Sequence, residues 1–488
     1  MHNWVWIVMV IYGIAMCFIF MYSLVQLSLL LNYRKSKRRI TTIINAPFDP
    51  PKVLVQLPVF NEFYVVERLI DAVANFNYPK DKLEIQLLDD STDESYELAT
   101  HRVQFWKDNG VNINQIKRQS RKGFKAGALQ YGLELSDAEF IAIFDADFIP
   151  DPEFLNRTIP HFSTNQIGMI QTRWEHLNRD YSLLTRVQAF ALDAHFTIEQ
   201  SGRNQGAHFI NFNGTAGVWR RACIIDSGGW SADTLTEDLD LSYRAQLKGW
   251  KFKFLENVGA PAELPAEMNA LKNQQYRWNK GAAECASKHL MRVLSAKKLP
   301  ISTKIHALFH LLNSSVFVWV ILCAILSLPL VFIKELYPEL KTVFYLGSIL
   351  LISFAVLAIF YYVSFREMEK QKSRTSFLWL YPTFLSLSMG MSLHNARAVI
   401  LGYSGKKTPF IRTPKWNLIG RSGTFANKQY SSKSIPAITW FEGLLCLYFL
   451  GALIYEISIG AWEFVPLHLM LVFGFATVFV YSFKKGEI

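Results

Sequence analysis

Between Trp4 and Leu31 the chain carries no charge, and Ser23, Gln26 and Ser28 are its only clearly polar residues. A helix rises ~1.5 Å per residue, so about 20 such residues cross a ~30 Å hydrocarbon core. No basic segment precedes the run and no small-residue cleavage site follows it, so it reads as an uncleaved anchor over residues 1–33. Arg34, Lys35, Lys37, Arg38 and Arg39 come next. Such a basic stop belongs on the cytoplasmic side and puts the N-terminus outside.

Further apolar runs gather at the other end, at residues 305–333, 342–363, 378–393, 438–457 and 464–483. Positive charge follows the second (Arg366, Lys370, Lys372, Arg374), lies between Lys406 and Arg421, and returns at Lys484 and Lys485. Residues 458–463 hold no Lys or Arg, and the charges of 334–341 balance, as an outside face requires. Run 378–393 has basic residues on both sides, is short for a crossing, and is interrupted by Tyr381, Pro382, Ser386, Ser388, Gly390 and Ser392. An interfacial or re-entrant helix over 376–400 is therefore expected, leaving five true spans, with residues 301–488 as the C-terminal membrane region. Sidedness thus accounts for most of the net charge of +11, and nucleic acid is not required as a partner. Five scattered cysteines without a Cys-x-x-Cys pair speak against a disulfide framework or a zinc ribbon.

Residues 40–300 have ordinary soluble-domain composition, with no repeat or low-complexity linker. Strands are expected at 52–60, 84–88, 112–117 and 140–144, alternating with helices at 62–74, 95–106 and 125–135. That alternation implies a mostly parallel sheet covered on both faces, with ligands beyond the carboxyl ends of its strands.

Two strand ends are acidic. Asp89, Asp90 and Asp93 follow one, and Asp145-Ala146-Asp147 follows another. The first group can equally serve loop solvation, with Asp93 capping the next helix. Two carboxylates beside a buried strand end repel each other and need a cation, and hard oxygen ligands of this kind suit Mg²⁺ or Mn²⁺. Arg121-Lys122-Gly123-Phe124-Lys125 leads into an Ala-rich helix, whose free amides and nearby cations suit a diphosphate or mark an ordinary basic helix start. Gly214 and Thr215 belong to a small-residue loop that admits close backbone approach. Thr236-Glu237-Asp238 precedes a helix over 239–247, where Asp238 is either an N-cap or an acceptor of a proton from an attacking hydroxyl. Gln274-x-x-Arg277-Trp278 lies in a polar helical stretch, and its Trp is suited to sugar contact or to a membrane interface.

In this order, Asp89-Asp90, Asp145-x-Asp147, Thr236-Glu237-Asp238 and Gln274-x-x-Arg277-Trp278 resemble the D, DxD, (T/E)ED, QxxRW signature of membrane family 2 glycosyltransferases. The phrases Gln56–Glu62, Leu88–Asp93, Gln171–Trp174 and Phe212–Arg220 are similar to the cellulose-synthase-like glucomannan (β-mannan) synthases and their bacterial relatives. The resemblance implies an α/β GT-A (Rossmann-like) cytoplasmic domain inserted between transmembrane helices. It also implies inverting hexosyl transfer from UDP-glucose or GDP-mannose to a β-linked polysaccharide, processive and with translocation. By it Pro58, Asn61, Glu62, Asp89 and Asp90 surround the nucleoside, and Lys125 approaches the diphosphate. Asp145 and Asp147 hold Mg²⁺ or Mn²⁺, Asp145 also facing the donor, and Asp238 is the base, with Glu237 and Asp90 completing the catalytic set. Gln274, Arg277, Trp278, Gly214 and Thr215 line the glycan acceptor's end.

Phe410-Ile411-Arg412-Thr413-Pro414-Lys415, within 405–421, is similar to the FxVTxK gating loop of bacterial cellulose synthases, with Arg412 in place of Val, so a gating-like loop is expected and an interfacial basic loop is the alternative. Only five residues follow Phe483, so no PilZ domain and no direct cyclic di-GMP control are expected. A lipid acceptor, as in ceramide-glucosyltransferase-like enzymes, is the runner-up function, and a catalytically dead channel or scaffold is the third. A multi-pass protein in contact with membrane lipid, in a bacterial inner membrane, is the expected setting.

Overall fold

In the computed structural model, the described residues are 2–37, 49–370, 372–408, 411–424, 430 and 435–483. Arg38, Arg39, Phe410, Lys484 and Lys485, together with residues 40–48 of the expected soluble block, lie outside them.

The soluble block is built on seven strands: β1 Val53–Val59, β2 Leu83–Asp89, β3 Ile113–Ile116, β4 Phe140–Ile143, β5 Ile167–His176, β6 Gly217–Arg220 and β7 Lys251–Ala262. They are ordered β3-β2-β1-β4-β6-β5-β7. β1 to β4 pair in parallel, as do β5 and β7, whereas β6 runs antiparallel to both neighbours. β1 shows why the sheet is covered twice. Val53, Val55, Leu57 and Val59 enter one apolar core with Leu69, Ile70 and Phe144, while Leu54 enters the other with Leu129, Ile141 and Trp219. Successive side chains alternate across a strand, so one buried strand feeds both layers. The β1, β2 and β4 carboxyl ends and the amino end of the antiparallel β6 open on the same edge, because Ile143 pairs with Gly217.

Among the described residues five helices are long and apolar enough to cross a membrane: Asn3–Lys37, Asn313–Leu336, Pro338–Met368, Ile438–Ile459 and Val465–Phe483. The expected run 305–333 is divided. Ile301–Leu311 is a separate helix, a 3₁₀ turn holds Asn313–Ser315, and Val316–Leu336 follows. The first piece packs on the soluble block, where the His310 ring is 2.9 Å from the Tyr243 hydroxyl. It therefore leaves only the second piece for the membrane. The 378–393 run forms the helix Arg374–Gly390, joined through Met391 to the helix Ser392–Tyr403. It is not among the five candidate spans.

Arg374–Gly390 rests on Val465–Phe483 with almost no gap. A Cβ on Gly474 would lie 1.9 Å from the Ser386 carbonyl oxygen, and one on Gly390 would lie 2.4 Å from the Gly474 carbonyl oxygen. Small residues allow this backbone approach, which is where helix association in lipid gains its packing. Gly474→Val is expected to lower the thermal unfolding midpoint of the detergent-solubilised protein by forcing the two helices apart, whereas Gly13→Val, at a glycine whose Cβ would meet no atom within 4 Å, leaves it unchanged.

Candidate active site

One cavity at that sheet edge is lined by residues from widely separated segments. They include Pro58, Glu62, Asp90, Arg121, Lys125, Asp145, Asp147, Trp174, Asn213, Gly214, Glu237, Asp238, Gln274, Arg277, Trp278, Arg412, Thr413 and Lys415. Three of the expected residues stand behind its wall. Asp89 is 1% exposed, and its carboxylate accepts from the Ser91 amide at 2.8 Å and from Gln115 Nε2 at 2.8 Å. Asn61 has a φ of 55° and ties the β1 end to the β2 end, its amide donating to Ser91 Oγ and its Oδ1 accepting from the Thr92 amide, both at 2.9 Å. Thr215 Oγ1 accepts from the Asp145 amide at 2.9 Å. These three shape the site rather than face it. Asp90 does face it, but both of its oxygens accept from the Arg118 guanidinium.

On one wall, Gly123 adopts a left-handed φ of 75° and starts the helix Phe124–Glu134. The turn places the Arg121 guanidinium 3.3 Å from the Phe60 ring centre and brings Lys125 into the cavity. Lys125 Nζ donates to Asp145 Oδ1 and, at 2.8 Å, to the Gly214 carbonyl oxygen. Burial disfavours its charge, yet the carboxylates of Asp145, Glu237 and Asp238 outweigh that effect and raise its pKa. Asp147 is held in turn by Lys415.

The opposite wall is the start of the helix Glu237–Leu247. Thr236, and not Asp238, is the N-cap. Asp238 stands in the first turn, where its Oδ1 accepts from the Leu239 amide at 2.8 Å. Gly214 is required there by its φ of 81°, and a Cβ on it would stand 3.1 Å from Asp238 Oδ2 and 3.5 Å from Lys125 Nζ. The bare glycine therefore lets the base candidate and the lysine approach the same space. Burial and the neighbouring Glu237 charge push the Asp238 carboxyl up to about 7, into the range of a group that takes and gives a proton near neutrality.

Gln274, Arg277 and Trp278 project from the helix Met268–Ser295. The Trp278 and Trp174 rings, with centres 6.5 Å apart, form one aromatic wall. Trp174 Nε1 and Asn213 Nδ2, both buried and lining the cavity, have no hydrogen-bond partner among the described residues. Polar edges beside a flat apolar face match a sugar ring, which offers hydroxyls at its rim and C–H bonds on its faces.

Above the cavity lies the segment 411–418. Arg412 pairs with Glu62 at 2.9 Å, and Thr413 Oγ1 accepts from Arg277 Nη2 at 2.9 Å. Lys415 donates to the Glu263 carbonyl oxygen, and the buried Trp416 donates its amide to Glu263 Oε1 at 2.7 Å. Arg68 reaches the other Glu263 oxygen at 3.1 Å. Glu263, only 2% exposed, is thus the anchor of this cover. It had no sequence signal, being a lone glutamate at the end of β7. Burial pushes the Glu62 carboxyl up to about 7, against the pull of Arg412.

Among the described residues no group of three or more His, Cys, Asp and Glu could hold a metal ion. Asp145 and Asp147 nevertheless offer two hard oxygen donors one residue apart on the cavity wall. That set fits a divalent cation which completes its shell with water and substrate phosphate, as Mg²⁺ commonly does.

Residues 50–281 match the profile described as Glycosyltransferase like family 2. The chain is 45% identical over 265 residues to a protein from Oryza sativa subsp. japonica named Glucomannan 4-beta-mannosyltransferase 1, covering 53% of this chain and 51% of that protein. It is 36% identical over 425 residues to Glucomannan 4-beta-mannosyltransferase 2 of Arabidopsis thaliana, covering 85% of this chain and 76% of that one. With the rice relative, then, it shares about half of that protein's length. Among solved structures, a mannosyltransferase from Pyrobaculum calidifontis, in complex with GDP-Man and Mn²⁺, superposes with a TM-score of 0.55 at 18% identity, over 81% of this chain and all of that one. At that identity the likeness establishes the fold.

The raised Asp238 carboxyl carries a stability signature. Its pKa rises on folding from 3.8 to about 7, so the folded state binds the proton more tightly and loses stability as pH climbs through that window. Asp238→Asn removes this loss. Its unfolding midpoint is expected to exceed that of the unmodified protein at pH 8, with the difference shrinking toward pH 4.

Proposed function

The chain belongs to glycosyltransferase family 2 and has the GT-A fold, and from that premise we propose that it transfers mannosyl units from GDP-mannose to a growing β-linked glycan. The relatives' names support mannose over glucose as the sugar. The observation that carries the reading is the single cavity in which Lys125 and Asp145 face Asp238 across Gly214, with Trp278 on the wall.

The reaction follows from those positions. The acceptor hydroxyl, oriented against Trp278, gives its proton to Asp238 as its oxygen bonds to the sugar's anomeric carbon. The bond from that carbon to the diphosphate breaks, and its electron pair leaves with the diphosphate. Attack and departure on opposite faces invert the anomeric centre. Charge grows on the leaving group, so Lys125 and Arg277 interact more strongly with the transition state than with the ground state. A Mg²⁺ or Mn²⁺ ion at Asp145 and Asp147 would supply further charge neutralisation there. The segment from Arg412 to Lys415 excludes water from this space and, through Thr413, orients Arg277. The five apolar helices fit a multi-pass membrane protein, with the charge-rich side of the membrane assigned to the catalytic block. Relatives from plants give no support to a bacterial inner membrane, and that expectation is dropped.

Three outcomes test this reading. Protein in vesicles with Mn²⁺ and labelled GDP-mannose or UDP-glucose should place mannose in insoluble, mannanase-sensitive polymer. Label confined to extractable lipid would move the protein to the glycolipid enzymes. Asp238→Asn should lower the transfer rate by about 10²–10⁴-fold, and the unmodified rate should fall as pH drops through about 7, as Asp238 becomes protonated. Thr413→Val should reduce kcat by about tenfold, through the lost hydrogen bond to the buried Arg277, with a smaller change in KM.

A further inference from the structure

A second cavity, separate from the first, opens where the soluble block meets the membrane helices. Asp180, Tyr181, Ser182, Arg186, Trp379 and Arg421 line it, and its volume is about 390 Å³. Its charge is unusual for this protein. Arg186 and Arg421 make no ion pair or side-chain hydrogen bond among the described residues, and Arg186 Nε is buried without a partner. Arg186 is half-buried and Arg421 exposed, and most other arginines at buried or half-buried positions face a carboxylate, as Arg68, Arg118, Arg173, Arg179 and Arg220 do. The one acid in the lining, Asp180, is already taken by Lys372 at 3.4 Å. Two guanidinium groups therefore border one cavity whose single acid, Asp180, is shared with Lys372, leaving the lining with an excess of positive charge.

The surroundings say where a counter-charge would come from. Trp379 is 53% exposed and its neighbour Leu378 72% exposed, in the second turn of the helix Arg374–Gly390. Further along, this helix packs on the span Val465–Phe483 at Gly474. Lys372 stands just before it and Arg374 is its first residue. An exposed Trp beside an exposed Leu, one turn from a basic cluster, is the pattern of a side chain at the level of lipid headgroups. Guanidinium groups bind phosphate oxygens through paired N–H donors, and basic pockets at helix ends on the cytoplasmic side suit anionic headgroups.

We propose that this cavity binds the phosphate of an anionic membrane lipid, with Arg186 and Arg421 as its two ligands and Trp379 seated at the acyl–headgroup boundary. The site also adjoins the cover of the active site. The Tyr181 hydroxyl donates to the Gly423 carbonyl oxygen at 3.3 Å, and the Gly420 amide donates to the Leu177 carbonyl oxygen at 2.7 Å. Arg421 lies between those two anchors, on the same segment as Thr413, Lys415 and Trp416. A lipid held by Arg421 thus fastens the far end of the segment that closes the active site.

The test measures binding and is independent of which sugar is transferred. The full chain is placed in phosphatidylcholine nanodiscs with and without phosphatidylglycerol, released, and weighed by native mass spectrometry. Retained phosphatidylglycerol is expected on the unmodified protein. At ~1 kcal/mol per cation, the R186Q/R421Q double variant should retain it about thirtyfold less. The charge-keeping R186K/R421K variant should recover part of the binding, and K406Q/K407Q, which removes two cytoplasmic charges elsewhere, should leave it unchanged. Unfolding midpoints of all variants are compared, so that loss of lipid is not mistaken for loss of fold. Equal loss in K406Q/K407Q would reduce the effect to diffuse surface charge and overturn the proposal. Undiminished retention by R186Q/R421Q would overturn it as well. Displacement of the lipid by millimolar inorganic phosphate would assign the cavity to a soluble anion instead.

Discussion

Like charges crowded into a half-buried cleft are the constraint that the rest of this structure answers. Glu62, Asp90, Asp145, Asp147, Glu237 and Asp238 all face one cavity, where burial alone would force several of them to take up protons. Three surrounding segments supply cations in reply: Lys125 from the helix after β3, Arg277 from the helix after β7, and Arg412 and Lys415 from the segment between the membrane helices. The balance is close without being complete. Burial raises the Asp145 carboxyl against the pull of Lys125, while Asp238, with Glu237 at its side, is pushed up to about 7 and is fit to exchange a proton. The diphosphate of the proposed donor would enter an arrangement already built to trade charge.

The same logic joins the catalytic block to the membrane. Lys272, two residues before Gln274, is buried with Glu442 of the Ile438–Ile459 span at 2.5 Å and with Ser482 of the Val465–Phe483 span at 2.8 Å. Asn269 donates to the Ser482 carbonyl oxygen at 3.1 Å, and the His394 ring is 2.9 Å from the Lys272 carbonyl oxygen. A buried ion pair adds little net stability over an apolar substitute, but breaking it leaves an uncompensated charge. It therefore sets the register of the Gln274–Trp278 helix against two spans. The Trp278 wall of the cavity is thereby tied to those two spans.

Much of the fold was legible because period and length are local properties. The alternation of β1 to β4 with their helices followed from apolar periodicity, and the observed strand ends differ from those expected by one residue at most. The division of run 305–333 was not readable in this way, since His306 and His310 look like ordinary polar interruptions until Tyr243 and His208 are found against them. The acidic and aromatic site residues carried a signal in their order along the chain. Asn61, Asp89 and Thr215 shared that signal yet serve as wall supports, because a motif marks a position without stating which way its side chain points.

What the sequence by itself determined is therefore the set of elements and the inventory of chemistry: five apolar spans, an alternating α/β block between them, and carboxylates at strand ends where ligands bind. Only the tertiary structure decided which charges meet. Glu263 as the anchor of Lys415 and Trp416, Arg118 as the keeper of Asp90, and Arg186 and Arg421 facing one cavity all join residues that lie far apart in the chain. Pattern along a chain reports burial, because burial repeats with the period of a helix or strand. The partner of a charge is set by where distant segments come to rest, and no local period records it.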